Sequence, residues 1–334
     1  MDRSRMPAVL LALAVLLAAC APGGTSTTAS AGRTERAVTL LLGYRPDVQF
    51  APFYVAQQEG YFADAGLDVT IEHRQAPDVQ RLVASGEAEF GVADATDVMI
   101  ARTSGLTIRY ISTLYQAFPV ALIGEEGAVP AEPADLAGMS IGTPGRFGSS
   151  WHALLAVLAA GGLGEDDVTI REYPQFNQVD GLVNGDVELV TGFRNNDTLR
   201  VEDRGLAADM LTIDEIAPLP GPGVIAGDAL IDEDPELVRA FARAVAAAQA
   251  AVIDDPDLGF AAAEEAVPTI AEDPDLARAV LDATVELWEG SGFDEGRIAE
   301  PLWADGYARM AELGFIDESV PLEDMIAPEV LSGG

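Results

Sequence analysis

The chain has 334 residues, of which 55 are acidic and 19 basic, and its formal net charge is −36. Such a charge repels polyanions, which excludes nucleic-acid binding through a basic face. All 19 basic residues are arginine, and the lack of lysine excludes Schiff-base chemistry and a Walker phosphate loop, which need an ammonium group. Because 49% of the residues are hydrophobic, we expect a folded core beneath a highly solvated acidic surface.

The N-terminal residues have the pattern of an export signal. Arg3 and Arg5 precede an apolar run that is shorter than the roughly 20 residues of a membrane span, so residues 1–19 are predicted to be a signal peptide. The run ends in the letters LAAC, which resembles the bacterial lipoprotein signal, and this implies that Cys20, the only cysteine, becomes a palmitate-bearing first residue. Residues 20–36 are small and polar and predict a flexible tether. We therefore expect a lipid anchor on the extracytoplasmic face of the cell membrane, the alternative being a secreted protein with a chance cysteine.

Short β-branched runs alternate with helical stretches along the rest of the chain. A first set of strands is predicted at 37–42, 67–71, 89–93 and 108–113, with helices at 50–65, 79–85 and 97–103. A second set of strands is predicted at 140–142, 168–173 and 189–193, with helices at 150–160 and 178–184. The sequence PLPGPG ends this rhythm, and helices at 235–254, 256–267, 274–290 and 301–313 follow. The pattern predicts an α/β fold with mostly parallel sheets and helices on both faces.

The composition changes after residue 123, where a stretch rich in glycine, proline and glutamate indicates a linker. We therefore predict two lobes with a ligand cleft between them. The first lobe comprises residues 37–124 and 217–334, and the second comprises residues 125–216. Two independent tandem domains are the alternative, although the second stretch is short for a doubly wound unit with its own terminal helices.

The loop after the first strand has the most informative sequence. Strand, proline-bearing loop and helix start follow one another there, and in open α/β sheets this position faces the ligand crevice. The loop combines the aromatic residues Tyr44 and Phe50 with the polar residues Asp47 and Gln49. This is the mixture expected around a flat heterocycle, so all four are candidate ligand contacts.

The segment YRPDVQFAPFYVAQQEGYF, followed by GLDV, resembles the ABC-transporter solute-binding proteins of the thiamine-pyrimidine-precursor type. It is most similar to their riboflavin-binding lipoprotein branch, and the similarity extends to residues 82–102 and 135–150. The resemblance implies a two-lobed periplasmic-binding-protein fold of type II, with mixed sheets, helices on both faces and a central ligand cleft. Asp47 departs from the asparagine that is common at its position.

Four further candidates follow predicted strands of the first set. Asp94 and Asp97 come after the strand at 89–93, where they either meet a ligand or cap the next helix. Tyr115 and Phe118 come after the strand at 108–113, where they either stack on a ligand or belong to the core.

Four candidates lie in the second set. Phe147 is in a glycine-rich loop whose backbone N–H groups approach a ligand at a helix N-terminus, and it favours an aromatic ligand, although the neighbouring Arg146 leaves an anion open. Phe176 lies between a strand and a helix. Asn195 and Asn196 follow the strand at 189–193, and they present paired amides that suit the uracil-like edge of an isoalloxazine ring or form a turn and helix cap.

The resemblance and these residues predict a substrate-binding lipoprotein of an ABC importer, with riboflavin as the favoured ligand. It would close two lobes on the ligand and deliver it to a permease driven by an ATPase. The alternatives are a thiamine pyrimidine precursor, of the formylaminopyrimidine or hydroxymethylpyrimidine type, and a sulfonate- or nitrate-like anion.

No enzymatic activity is predicted, because the pyrimidine-synthesising enzyme of the same fold is understood to use a pyridoxal-phosphate lysine. His73 and His152 lack ligand-spaced partners, and no Gly-x-Ser-x-Gly elbow occurs. We therefore predict no catalytic residue, no metal and no cofactor, and we assume a monomer.

Overall fold

The computed structural model describes residues 35–214, 216–290 and 292–332. The predicted signal peptide, Cys20 and all but the end of the predicted tether lie outside the described residues. Arg36, assigned to the tether from sequence, already belongs to the first strand, since its N–H donates to the Gly66 carbonyl over 2.9 Å. Within the described ranges, no helix has both the length and the apolar character needed to cross a bilayer.

Ten strands and thirteen α-helices form among the described residues. The strands are β1 Arg36–Leu42, β2 Leu67–His73, β3 Phe90–Ala93, β4 Ile108–Thr113, β5 Val120–Glu125, β6 Ser140–Thr143, β7 Thr169–Glu172, β8 Leu189–Phe193, β9 Ala208–Thr212 and β10 Gly223–Gly227. The helices are α1 Ala51–Gln58, α2 Tyr61–Asp64, α3 Ala76–Ala84, α4 Ala95–Thr103, α5 Gly148–Ala160, α6 Gln178–Val183, α7 Asp197–Asp203, α8 Asp228–Glu233, α9 Pro235–Asp254, α10 Pro256–Ala266, α11 Pro274–Gly290, α12 Glu300–Glu312 and α13 Glu329–Ser332.

The strands form two five-stranded sheets with the same layout. The first has the order β2-β1-β3-β10-β4 and the second the order β7-β6-β8-β5-β9. In each sheet one strand runs antiparallel to both of its neighbours, β10 in the first and β5 in the second. Both sheets are therefore mixed, and in each the parallel strands end at one common edge. We call each sheet, with the helices packed on it, a lobe.

The chain crosses between the sheets twice, once between β4 and β5 and once between β9 and β10. Residues 120–124, which the sequence analysis assigned to the first lobe, lie in β5 and pair with the second sheet. An apolar strand has the same local pattern whichever sheet it joins, which is why the sequence did not show the earlier crossing. The division into two lobes stays a proposal, with its first boundary moved to the segment before β5.

The two crossings touch each other. The N–H groups of Leu114 and Tyr115 both donate to the Pro222 carbonyl over 3.1 Å. A Cβ atom on Gly221 would lie 2.3 Å from the Tyr115 carbonyl oxygen. Because any side chain there would clash with backbone, this glycine is required for the two segments to lie side by side.

Helices pack against both faces of the first sheet. The long helix α9 begins at Pro235 after Asp234, whose carboxylate accepts from the Leu237 N–H over 3.2 Å. Its buried face presents Phe241, which stacks on Phe90 of β3 with ring centroids 3.8 Å apart. The opposite face of the sheet joins a core cluster that continues through α4 and α5 to the second sheet, so the two lobes are in apolar contact.

Candidate ligand-binding cleft

A cavity lies where the carboxyl ends of the parallel strands of both sheets meet. The first lobe contributes the residues that follow β1, β3 and β4, and the second contributes the starts of α5, α6 and α7, which follow β6, β7 and β8. Its aromatic lining consists of Tyr44, Phe50, Phe53, Tyr115, Phe147, Phe176, Phe193 and Trp288. Its polar lining consists of Gln49, Asp94, Ser149, Ser150, Gln178, Asn196 and Asp197. This is the position at which open α/β sheets bind ligands.

Aromatic contacts on the cavity wall cross from one lobe to the other. Tyr44 of the first lobe meets Phe176 of the second edge to face, with ring centroids 4.8 Å apart, and Phe147 lies 6.5 Å from Phe176. Phe176 has a φ of 56°, in the left-handed region that a bulky side chain rarely adopts. Strained backbone of this kind concentrates at functional sites. Burial raises the pKa of the Tyr44 phenol, so the wall is uncharged at this point.

The loop between β1 and α1 is tied to the second lobe by polar contacts behind the wall. The Asp47 carboxylate, which is 5% exposed, accepts from the Gln49 N–H over 3.3 Å and from the Arg200 guanidinium over 2.9 Å. The Gln49 Oε1 atom accepts from the Asn195 Nδ2 atom over 3.0 Å, and the same Nδ2 donates to the Thr284 hydroxyl over 2.7 Å. Asp47 and Asn195 therefore hold the loop of the cavity wall in place but do not line the cavity themselves.

A second polar contact joins the lobes at the start of α5. The Asp94 carboxylate accepts from the Ser149 N–H over 2.7 Å, and the Asp97 carboxylate accepts from the Gly148 N–H over 3.2 Å. The other Asp97 oxygen accepts from the Gln80 amide over 3.0 Å. The sequence offered ligand contact or capping of α4 for these acids, and the structure shows that they cap α5 of the other lobe. Burial, and then the charge of Asp94, raise the pKa of Asp97 to about 8, and burial raises the pKa of Asp94 as well.

Two side chains of the second lobe leave buried polar atoms at the cavity. The Gln178 amide donates to one Asp197 oxygen over 3.2 Å, while the other Asp197 oxygen accepts from the Phe193 N–H over 2.8 Å. This fixes the amide orientation of Gln178, and its Oε1 atom is buried without a partner among the described residues. The same holds for the Ser149 hydroxyl. Burial raises the pKa of Asp197 to about 6. A buried polar atom without a partner is costly, so both atoms are candidate ligand contacts.

Of the twelve residues predicted from sequence, eight line the cavity: Tyr44, Gln49, Phe50, Asp94, Tyr115, Phe147, Phe176 and Asn196. Asp47, Asp97 and Asn195 lie behind its wall. Phe118 is 1% exposed and packs in the core cluster between the lobes. Tyr115 and Phe118 lie in the same irregular segment, and a strand-end pattern does not tell which of them faces the cleft.

Seven of the aromatic and polar lining residues are absent from the predicted set, and their signals differ. Position alone marks five of them, because each belongs to the first turn of a helix that follows a strand: Phe53, Ser149, Ser150, Gln178 and Asp197. Phe193, the last residue of β8, has the same kind of signal. Trp288 lies in α11 and has no local signal for a place in the cavity wall, because only tertiary packing brings it to within 5.8 Å of the Tyr115 ring, centroid to centroid.

Both histidines have structural partners. The His73 Nδ1 atom lies 2.8 Å from the Tyr44 carbonyl and its Nε2 atom 3.3 Å from the Tyr54 hydroxyl. The His152 Nδ1 atom lies 2.9 Å from the Thr96 hydroxyl. Burial lowers both pKa values, that of His152 to about 4, so both rings are neutral at pH 7.

Comparison with known proteins decides the family. A model of the NMT1/THI5-like family matches residues 47–258. The riboflavin-binding protein RibY of Chloroflexus aurantiacus is 32% identical over 100% of this chain and 99% of its own length. The chain belongs to the NMT1/THI5-like family. The family predicted from the sequence is thereby confirmed.

Other members of the family differ in what they are named for. The formylaminopyrimidine-binding protein of Halalkalibacterium halodurans is 28% identical over 75% of each chain. The 4-amino-5-hydroxymethyl-2-methylpyrimidine phosphate synthase of Legionella pneumophila is 26% identical over 70% of this chain and 74% of its own. The family therefore contains proteins named as binding proteins and proteins named as enzymes.

Solved structures show the fold. The alkanesulfonate-binding protein SsuA of Xanthomonas axonopodis pv. citri aligns with a TM-score of 0.69 over 87% of this chain and 98% of its own, at 14% identity. The predicted α/β fold, with two mixed sheets of the periplasmic-binding-protein type, is confirmed.

Proposed function

We propose that the chain is the substrate-binding protein of an ABC importer, which captures riboflavin between its two lobes and delivers it to a membrane permease. The observation that carries the proposal is the cavity whose aromatic wall is built by both lobes together. Similarity to a riboflavin-binding protein over the full chain supports it.

The cavity wall suits a flat heterocycle for physical reasons. Each offset or edge-on aromatic pair contributes about 0.5–1.5 kcal/mol beyond the area that it buries. The Gln178 Oε1 atom is fixed as an acceptor, and the Ser149 hydroxyl both donates and accepts. Together they match a ring edge that presents an N–H group beside a carbonyl, such as the edge of an isoalloxazine.

The proposal includes a lipid anchor at Cys20, a location on the extracytoplasmic face of the membrane, and a permease with its ATPase as partners. Labelling of cells with a palmitate analogue tests the anchor, because the wild-type chain would be labelled and a Cys20→Ser variant would not. Label on both chains would contradict it.

A binding role is also favoured over catalysis. Some relatives are named synthases, but the sequence of this chain contains no lysine. It therefore lacks the lysine amine that forms a Schiff base with an aldehyde cofactor. With the α-amino group of the chain blocked, incubation with pyridoxal phosphate would give no absorbance shift of a Schiff base, and a stoichiometric shift would contradict this.

The second candidate ligand is a thiamine pyrimidine precursor. The Asp197 carboxylate, which lines the cavity beside Gln178, favours it, because an aminopyrimidine donates hydrogen bonds from its amino group to a carboxylate. The formylaminopyrimidine-binding relative supports this candidate.

Fluorescence titration separates the two candidates. Riboflavin emission should be quenched when ligand-free protein is added at micromolar concentration, and formylaminopyrimidine in equal amount should not restore it. Unquenched flavin emission would contradict the riboflavin proposal. Full displacement by the pyrimidine would instead make the pyrimidine the ligand.

A further inference from the structure

At the N-terminal end of α5, which reaches the cavity, the first backbone N–H groups already have hydrogen-bond partners. First-turn N–H groups have no partner within a helix and, with the helix dipole, attract anions. In this helix of 13 residues the N–H groups of Gly148 and Ser149 already donate to the carboxylates of Asp97 and Asp94, over 3.2 and 2.7 Å. Two acidic side chains of the other lobe thus occupy the place that an anionic ligand would take.

The surroundings hold both carboxylates in place. Asp97 is 8% exposed and is held by the Gln80 amide on its second oxygen. Among the described residues, neither acid has an arginine within ion-pair distance, and the nearby His152 is neutral because burial lowers its pKa to about 4. The two carboxyl groups at this end of α5 are therefore held by hydrogen bonds from N–H groups and not by a cation.

One polar atom at this end has no hydrogen-bond partner in the part of the chain that the structure describes. It is the buried hydroxyl of Ser149, a residue that lines the cavity. A hydroxyl group is satisfied by a carbonyl or an N–H of an uncharged ligand. The end of α5 is thus equipped for a neutral polar group, while its anion-binding N–H groups are occupied.

We propose that Asp94 and Asp97 are specificity-determining residues that fill the anion-binding end of α5 and restrict the cleft to uncharged ligands. A sulfonate, nitrate or phosphate group arriving there finds both N–H groups engaged by these two side chains. The inference rests on the proposed function as a binding protein and deepens it, because it names the chemical class that the cleft accepts and the class that it rejects.

Calorimetric titration with sodium methanesulfonate tests the inference. The variant Asp94→Ala with Asp97→Ala frees both N–H groups for an anion, so its dissociation constant for methanesulfonate should fall at least about tenfold below that of the wild type. The matched control, Asp64→Ala with Asp68→Ala, removes two exposed acids of the same lobe and should show no gain. The pair Asp94→Asn with Asp97→Asn keeps the N–H groups engaged by amide oxygens, so it should gain less than the alanine pair.

Two results would overturn the inference: a wild-type protein that binds methanesulfonate as tightly as the alanine pair, or a folded alanine pair that gains no more than the exposed control. Circular dichroism and a cooperative unfolding transition establish folding. If the alanine pair does not fold, the single variant Asp94→Ala decides, because it frees the Ser149 N–H group and the inference then requires methanesulfonate to bind at least about threefold more tightly than to the wild type. A failure of the wild type to bind riboflavin would count against the proposed function alone, because the anion titration does not depend on it.

Discussion

The two polar contacts between the lobes stabilise buried carboxylates in different ways. Asp47 faces a guanidinium, that of Arg200, over 2.9 Å. Asp94 and Asp97 face backbone N–H groups at the start of α5. A guanidinium keeps its full charge at all physiological pH values, whereas helix N–H groups offer only a partial charge.

The difference shows how one residue type serves two purposes in the same cleft. The pair of Asp47 and Arg200 neutralises a buried charge and fixes the loop that carries Tyr44 and Gln49. In the contact of Asp94 and Asp97 no cation offsets the cost of burial, and burial, followed by the charge of Asp94, raises the pKa of Asp97 to about 8. We therefore expect the first contact to matter for stability and the second for selectivity and pH response.

The largest expected effect comes from breaking the charged contact. Arg200→Met leaves the Asp47 carboxylate buried without its cation, and removing one partner of a buried pair is strongly destabilising. Since the Arg200 side chain is 28% exposed, we expect a loss of about 2–3 kcal/mol in the free energy of unfolding, measured by urea denaturation. The control Arg204→Met breaks an exposed pair with Asp180 just beyond the end of α7 and should cost less than about 0.5 kcal/mol. Equal losses in both variants would contradict the distinction between buried and exposed pairs.

The next effect concerns the pH dependence of the second contact. The folded state raises the pKa of Asp97 from 3.8 to about 8, so between these values the folded state binds a proton that the unfolded state releases. Stability must therefore fall as pH rises through this window. Relative to Asp97→Asn, the wild type should lose about 1.4 kcal/mol of unfolding free energy from pH 6 to pH 7.

Urea denaturation of both proteins at each pH measures this difference. Because the two proteins have the same acidic surface, the effect of pH on that surface cancels when they are compared. Asp68→Asn, an exposed change in the same lobe, should track the wild type at both pH values. If the difference in the free energy of unfolding between the wild type and Asp97→Asn stays constant with pH, Asp97 does not hold a proton in this range.

A smaller effect is expected in the cavity between the two contacts. Tyr44→Leu removes the ring that meets Phe176 across the cleft, and the loss of one aromatic contact should weaken riboflavin binding about three- to tenfold. Tyr44→Phe keeps the ring and should bind nearly as well as the wild type. Fluorescence titration of the three proteins is the measurement, and equal affinities would remove Tyr44 from the ligand contacts.

The smallest expected effect is at Phe118, which the sequence placed in the site and the structure places in the core. Phe118→Leu should leave riboflavin affinity unchanged and lower the free energy of unfolding by about 1 kcal/mol. The matched change Phe147→Leu, on the cavity wall, should weaken riboflavin binding and leave the free energy of unfolding unchanged. If Phe118→Leu weakened binding as much as Phe147→Leu, the core assignment would be wrong.

The fold was predictable from sequence because its signals are local. Helix starts such as Asp234-Pro235 and apolar strands are encoded in a few consecutive residues. Cleft residues that directly follow strands, such as Tyr44 and Asn196, were predictable by the same reasoning, since strand ends share an edge of the sheet.

What the sequence did not show depends on contacts between distant segments. The capping of α5 by Asp94 joins residues 55 positions apart, and Trp288 reaches the cavity from a helix near the end of the chain. Helical periodicity marks Trp288 as buried but does not distinguish a core position from a cavity wall. The place where the chain crosses to the second sheet is equally invisible, because β5 is apolar on both faces.

The contact between the two crossings has a consequence for how the cleft opens. Tyr115 belongs to one crossing, is hydrogen-bonded through its N–H to the other at Pro222, and lines the cavity with its ring. With Gly221 holding the two segments side by side, we expect them to bend as a single hinge. A ligand that packs on the Tyr115 ring then limits the rotation of that hinge directly, so that occupancy of the cavity and the angle between the lobes are linked through one residue.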